Sequence, residues 1–437
     1  MTIADALAQP TVAFLVTLLV RLCLCYVVLP GVFVRQPSLV ESPTGEHILT
    51  PNLLTFGVVP TSMQRCLWKE AIYHRENFGS IPAYIKAVAP WYASYLPRVF
   101  LSTTVSVIAL ALCDALTASL LLWRVRPFLK KSSASTVSFY CGLVYFGFIL
   151  NPWVFQGVVH QSLSPFEWLL LTAALILGEC GRFGRVLGAA VTAFLGSPFM
   201  AVVVALLLPA GHPNIKVFCG ICVVFSAVVA LVGSEYTRFF MRYKGETALF
   251  APIDVGPLWY VRQLIIGQFL PCLDVLCTQL ATLLTIVLAW GLPDFKGTSE
   301  RVKSFVPFFK DSNTCLAVFA VSFSYLTRTE LTYSNMSYVC LLFYCFINLL
   351  ATKDVVTESG VVRRLAHKRV RPLFVIYGYI FTITFNIAFF VPNLANFNWL
   401  FFSQTGVAVI SAVFVLQCVY EVVNDVLAFE KECEQSL

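Results

Sequence analysis

The chain has 437 residues, of which 58% are hydrophobic and only 12% charged, with a formal net charge of +7 and a mean hydropathy of +0.80. That composition predicts a polytopic membrane protein and leaves no room for a sizeable soluble domain, because the length is used up by apolar runs. The basic residues sit in short clusters between those runs, which speaks for loop asymmetry across a membrane and against a nucleic-acid partner.

The first run, Val12 to Phe33, is interrupted only by Arg21. It is too long for a signal-peptide core and no small-residue cleavage site follows, so a signal anchor is expected. Residues 34–97 form a long luminal loop carrying Glu41, Glu46, Glu70 and Glu76, with Ile81 to Tyr95 folding back onto the membrane. The second run, Val99 to Trp123, holds Asp114 and Thr117 within Asp114-Ala115-Leu116-Thr117-Ala118. A carboxylate at a helix centre costs about 3 kcal/mol on insertion scales, so Asp114 must face a bundle interior, a partner or a water-filled cavity.

Further runs follow at Val137 to Phe155, Phe166 to Leu177, Val186 to Leu208, Ile215 to Val232, Leu264 to Leu292, Leu316 to Leu326, Tyr338 to Leu350, Leu373 to Val391 and Leu400 to Val423. Orientation constrains how they are counted. Arg124, Arg126, Lys130 and Lys131 follow the second run, whereas Arg363, Arg364, Lys368, Arg369 and Arg371 precede the tenth, and both clusters should be cytosolic. An odd number of crossings cannot join them. Gly196-Ser197-Pro198 breaks the run Val186 to Leu208 at its centre, where proline cannot continue the helix ladder. Two half-helices turning on the luminal side restore the parity. The expected fold class is therefore an all-α, GT-C-like transmembrane bundle of about twelve membrane segments, one of them a broken hairpin. It is one transmembrane domain over 1–437, with a basic cytosolic loop at 352–372, a cytosolic tail at 424–437 and both termini cytosolic.

Catalytic patterns are missing. Five histidines are scattered, and no HExxH, nucleophile elbow, P-loop or GxGxxG context occurs. Most of the fifteen cysteines lie in apolar runs as small hydrophobes, and Cys219-Gly220-Ile221-Cys222 has no second pair, so neither metal nor cofactor is expected. A GT-C sugar transferase would carry a catalytic acid in its first luminal loop. That loop has no aspartate, and its four glutamates read as solvated charges.

Five segments carry a resemblance. Asp114-Ala115-Leu116-Thr117-Ala118, Leu150-Asn151-Pro152-Trp153, Ser197-Pro198-Phe199 with a Leu-rich run ending at Pro209, Gly256-Pro257-Leu258-Trp259-Tyr260 and Ala395-Asn396-Phe397-Asn398-Trp399 occur in the order, and at similar spacing, seen in the PIG-U subunit of GPI transamidase. The chain resembles that family from about Phe100 to Phe429. It departs from the family after Tyr260, where Val261-Arg262-Gln263 stands in place of an acid, and in a first loop that matches only loosely.

The resemblance implies a noncatalytic endoplasmic-reticulum subunit whose Cys/His chemistry belongs to a separate protease-like catalytic subunit. Its implied partners are the other transamidase subunits, the GPI glycolipid and the C-terminal signal of the substrate protein. In physical terms, Asn396 and Asn398 offer amide donors and acceptors to phosphate or sugar hydroxyls, or cap the following helix. Trp259 and Tyr260 suit a lipid interface, Arg262 a lipid phosphate or simple snorkelling, and Asn151 a cavity wall or a turn. Asp114 and Thr117 are intramembrane polar or packing groups. Two other readings remain: a GT-C GPI mannosyltransferase, which needs an essential first-loop acid, and a transporter, which should show internal repeats that the two halves lack.

Overall fold

The computed structural model describes residues 6–28, 103–129, 134–151, 164–193, 199–208, 270–291, 312–327, 333–347, 354–356, 362–364 and 412–420, with positions 154, 158, 195 and 409 besides. In chain order its helices are α1 (Pro10–Cys23), α2 (Thr103–Leu129), α3 (Ala134–Val144), α4 (Ser164–Gly178), α5 (Arg182–Ala193), α6 (Met200–Leu207), α7 (Leu270–Gly291), α8 (Ser312–Leu326) and α9 (Tyr333–Leu342). Three of them run on as a π-helical turn: α1 over Leu24–Val28, α3 over Tyr145–Ile149 and α9 over Phe343–Ile347. The described part is all-α apart from a short antiparallel ribbon, β1 (Asp354–Val356) against β2 (Val362–Arg364), which pairs Val355 with Arg363. This ribbon lies in the segment expected as a basic loop, where its valines suit a pleated backbone.

Helix limits differ from the apolar runs where polar residues can be buried. α8 begins at Ser312 rather than Leu316 because Asn313 and Thr314 are enclosed. α5 begins at Arg182 rather than Val186. α3 with its π turn stops at Ile149, short of Pro152. Between α5 and α6 the helix is broken around the Gly196-Ser197-Pro198 group, which itself lies outside the described residues. α5 has 12 residues and α6 has 8, about 18 Å and 12 Å of helix, each too short to cross a bilayer core of about 30 Å.

Contacts between helix termini sort the bundle into two ends. At the first end Arg124, near the end of α2, meets Glu179, just past α4. Gly178 faces Leu206, the last turn of α6. Asn313, at the start of α8, bonds the carbonyls of Ala205 and Leu208. Phe346, after α9, lies under the Arg124 guanidinium at 5.6 Å. At the second end Phe148, at the close of α3, packs on Trp168 near the start of α4, and Trp168 stacks on Tyr338 near the start of α9. Phe199, opening α6, meets Tyr325 near the finish of α8. So α5 leaves the first end and α6 returns to it.

α4 and α5 approach closely. Gly181 makes the turn between them with a φ of +95°, a left-handed conformation that favours glycine. A Cβ on Gly184 would strike the Leu177 carbonyl, and one on Gly188 would come within 2.6 Å of the Ala174 carbonyl oxygen. The Gly184-x-x-x-Gly188 spacing puts both on one face, letting the backbones touch. α8 is the centre of the bundle, flanked by α4, α6, α7 and α9, with every residue from Asn313 to Tyr325 buried.

The outer surface is apolar. α1 exposes Leu15 and Leu19, at 56% and 66%, while burying Thr17 and Arg21 completely. α7 exposes Leu276, Leu280, Leu283 and Val287, and the helical residues 412–420 expose Val413, Leu416 and Tyr420. Among the described residues two helices, over Pro10–Val27 and Val107–Pro127, are long and apolar enough to cross a membrane by length and composition.

Candidate functional site

The described residues bring together a fully buried charged junction, built on α1, α2 and the π turn after α3. Arg21 and Asp114 are the isolated charges of the first two apolar runs, and each is fully buried. Arg21 Nε donates to Asp114 Oδ2 at 2.7 Å. Its Nη1 donates to the Ile149 carbonyl at 2.6 Å and its Nη2 to the Phe148 carbonyl at 3.1 Å. The flat guanidinium fork thus spends its donors on three groups in two other elements, a geometry that lysine cannot copy.

Local sequence explains why those carbonyls are open. Carbonyls in the last turn of a helix lack intrahelical donors. The residue four places beyond Phe148 is Pro152, which has no N–H to offer. Leu150 N–H already closes a π-type bond to the Tyr145 carbonyl at 2.7 Å, and Asn151 Nδ2 caps the Gly147 carbonyl at 3.0 Å. Arg21 supplies what remains, and its positive charge suits the negative end of the helix dipole. Asp114 Oδ1 has no hydrogen-bond partner among the described residues.

Each expected site residue can be placed against this. Asp114, expected as an intramembrane polar or packing group facing a bundle interior, a partner or a cavity, is half of a buried ion pair. Its partner was visible in the sequence as the single cation of the first run, but nothing in the spacing said that the two would meet. Thr117 returns its hydroxyl to the Cys113 carbonyl at 2.8 Å, a helix-internal bond. Asn151 acts as a cap on its own helix end. Asn396, Asn398, Trp259, Tyr260 and Arg262 lie outside the described residues, as do the first-loop glutamates.

Two further polar junctions join helices. Trp168 Nε1 donates to Asn335 Oδ1 at 3.1 Å, Tyr338 Oη donates to the Trp168 carbonyl at 3.1 Å, and Thr172 Oγ1 lies 2.7 Å from the same hydroxyl. Asn335 is the acceptor of the sequon Asn335-Met336-Ser337, and at 2% exposure it is closed to a glycosyl donor. The second is the Arg124–Glu179 pair, with Nε and Nη2 each 2.6 Å from a carboxylate oxygen. Glu179 ends an apolar run beside a glycine turn and gave no sign of an arginine 55 residues away.

No group of three or more histidine, cysteine or acidic side chains able to hold a metal occurs among the described residues. Cys141, Cys277, Cys340, Cys345 and Cys418 are buried, as small apolar side chains would be. No protein-family model matches this sequence, and no curated protein gives a significant match.

Proposed function

We propose that this chain is a polytopic membrane subunit of a GPI transamidase, resident in the endoplasmic reticulum, that binds and presents the GPI lipid and leaves the chemistry to a Cys/His protease-like partner. The observation that carries the reading is the ordered set of five PIG-U-like segments in the sequence. Its support from the fold is local. Asp114 of the first segment and the carbonyls of Phe148 and Ile149, which immediately precede the Leu150-Asn151-Pro152-Trp153 segment, meet at one guanidinium.

The membrane part of the proposal rests on the inverted polarity of the helices. Large apolar side chains face outward while Arg21, Asp114 and several hydroxyls face inward, which suits lipid and not water. With the Arg124 end in the cytosol, the helix-end contacts put Glu179, Leu208, Asn313 and Phe346 on that same side. In this reading Lys310, Gly360 and the N-terminus are cytosolic as well, and the hairpin over α5 and α6 opens to the cytosol. The lipid-binding candidates within this reading are Asn396, Asn398, Trp259, Tyr260, Arg262 and Asn151.

The test is affinity purification of the full chain in mild detergent, with mass spectrometry of co-purified proteins and lipids. A Cys/His protease-like partner and GPI should accompany it, and depletion should leave unused GPI to accumulate. A chain that purifies intact without such a partner would overturn the proposal. Reporter fusions after Lys310 and Gly360 should both read cytosolic; a luminal reading at Gly360 would break the topology.

A further inference from the structure

We propose that the face of α4 left between α2 and α5 seats one phospholipid with an anionic head: arginines at the Arg124 end take the head, and the apolar face takes a chain. Contacts already account for the rest of α4. Trp168 and Thr172 turn to α9, Gly178 to α6 and Glu179 to α2, while the backbone at Ala174 and Leu177 meets the glycines of α5. The side chains that remain half-buried include Phe166, Leu169, Ala173 and Leu177, three or four residues apart and so on one face. At about 100° per residue that face lies between the Glu179 side, which meets α2, and the Ala174 side, which meets α5. α2 and α5 both pack on α4 and form its two walls.

The walls are apolar and open. α2 exposes Leu116 and Trp123, and α5 exposes Leu187 and, at 82%, Phe183. At the Arg124 end the surface turns cationic. Arg126 follows two residues after Arg124, and α5 opens three residues after Glu179 with Arg182 and Arg185 in its first turn. The acid among them is spent, since Glu179 holds Arg124 through two nitrogens. Four arginines against one glutamate leave these five residues with a net charge of +3, and Arg126 and Arg182 are exposed. Cations beside lipid-facing rings match a molecule with an anionic head and an apolar chain. A free phosphate would leave the α4 face and both walls uncovered. The Arg124 side is the cytosolic one in the reading above, and that leaflet carries the anionic lipids. The inference rests on the membrane reading and not on a role in anchor attachment.

Cys180 reports on the groove, because it is exposed and stands one residue past Glu179 at the end of the α4 face. The experiment takes the full-length protein in mild detergent and adds phosphatidylserine, or phosphatidylcholine with the same chains. Native mass spectrometry reads the lipid retained, and peptide mass spectrometry reads N-ethylmaleimide alkylation of Cys180 against Cys23, which is exposed on α1. Wild type should retain phosphatidylserine in preference, and that lipid should slow Cys180 several-fold with Cys23 unchanged. Arg126→Gln with Arg182→Gln should weaken phosphatidylserine retention about thirtyfold, the loss expected for two cations at headgroup level, and leave phosphatidylcholine unaffected. Ala173→Phe, which fills the floor of the groove, should weaken both lipids.

Unchanged phosphatidylserine retention in the double arginine variant overturns the head site, and unchanged retention in Ala173→Phe overturns the groove. Glycerophosphoserine, the same head without chains, should not protect Cys180; equal protection by it means a site for soluble phosphate esters and overturns the lipid. Equal slowing at Cys23 means a general coat of lipid and also overturns it. Should Ala173→Phe fail to accumulate, the wild-type comparison and the exposed arginine pair decide the matter alone. A chain that stays in solution without detergent would break the membrane reading and the proposal with it.

Discussion

α1 and α8 are held in opposite ways. α8 is enclosed over its length and packs on four neighbouring helices, Phe319 meeting Phe343 after α9, with Asn313 and Ser322 satisfied by backbone carbonyls. α1 packs along α2 with Leu15 and Leu19 turned outward, and its single buried charge is tied to one carboxylate and two helix-end carbonyls. Losing a contact from α8 removes one interaction among many, whereas losing Arg21 strands a buried carboxylate and two helix-end carbonyls together. Apolar packing spreads stability, and a buried charge concentrates it.

The largest effect should therefore come from the buried charge. Arg21→Leu leaves Asp114 buried without its counter-ion and should cost about 3–5 kcal/mol, seen as a sharp fall in yield and melting temperature in detergent. Arg21→Leu combined with Asp114→Leu removes both charges and should recover much of that loss, since replacing a buried pair by apolar groups is often nearly neutral. An additive double variant would show that the two residues are not coupled, and would erase the contrast with α8.

Next comes the α4–α5 contact. Gly184→Val forces a branched side chain into the Leu177 carbonyl and should cost about 1–3 kcal/mol, measured as a lowered melting temperature. Unchanged melting would mean that α5 is free to move away from α4. Asn313→Leu, which leaves the Ala205 and Leu208 carbonyls without their donor, should cost about 1–2 kcal/mol. It tests whether α8 depends on its polar end as α1 does. Trp168→Phe keeps an aromatic ring but removes the donor to Asn335, and at least about 1 kcal/mol is expected. The smallest effect belongs to Arg124→Lys, because the pair with Glu179 is partly exposed; about 0.5 kcal/mol at most, weakening further with salt.

Much of the architecture was legible. Long apolar runs with breakers between them give helices, because an apolar run without β-type alternation can satisfy its backbone only internally when water is excluded. The break near Gly196-Ser197-Pro198 was legible for a chemical reason, the lack of a donor on proline. The start of α8 at Ser312 and of α5 at Arg182 was not. Asn313 reads as polar and therefore as loop until the carbonyls of α6 are set in front of it. The Gly184–Gly188 face was written in the residues but unread, since glycine spacing shows a close approach only once a neighbouring helix is known.

The candidate site divides in the same manner. That Asp114 needs a partner followed from desolvation alone. That the partner is Arg21, rather than a ligand, a proton or a second acid, was decided by the packing of α1 on α2 at a separation of 93 residues. The sequence by itself determined the helical class, the broken hairpin and the presence of two charges that could not be left in an apolar medium, because those follow from composition, from proline chemistry and from the cost of burying an ion. Only the tertiary structure decided which charges meet, which carbonyls stay open and which helix ends lie together. Those depend on the distances between segments far apart in the chain, and no local pattern encodes them.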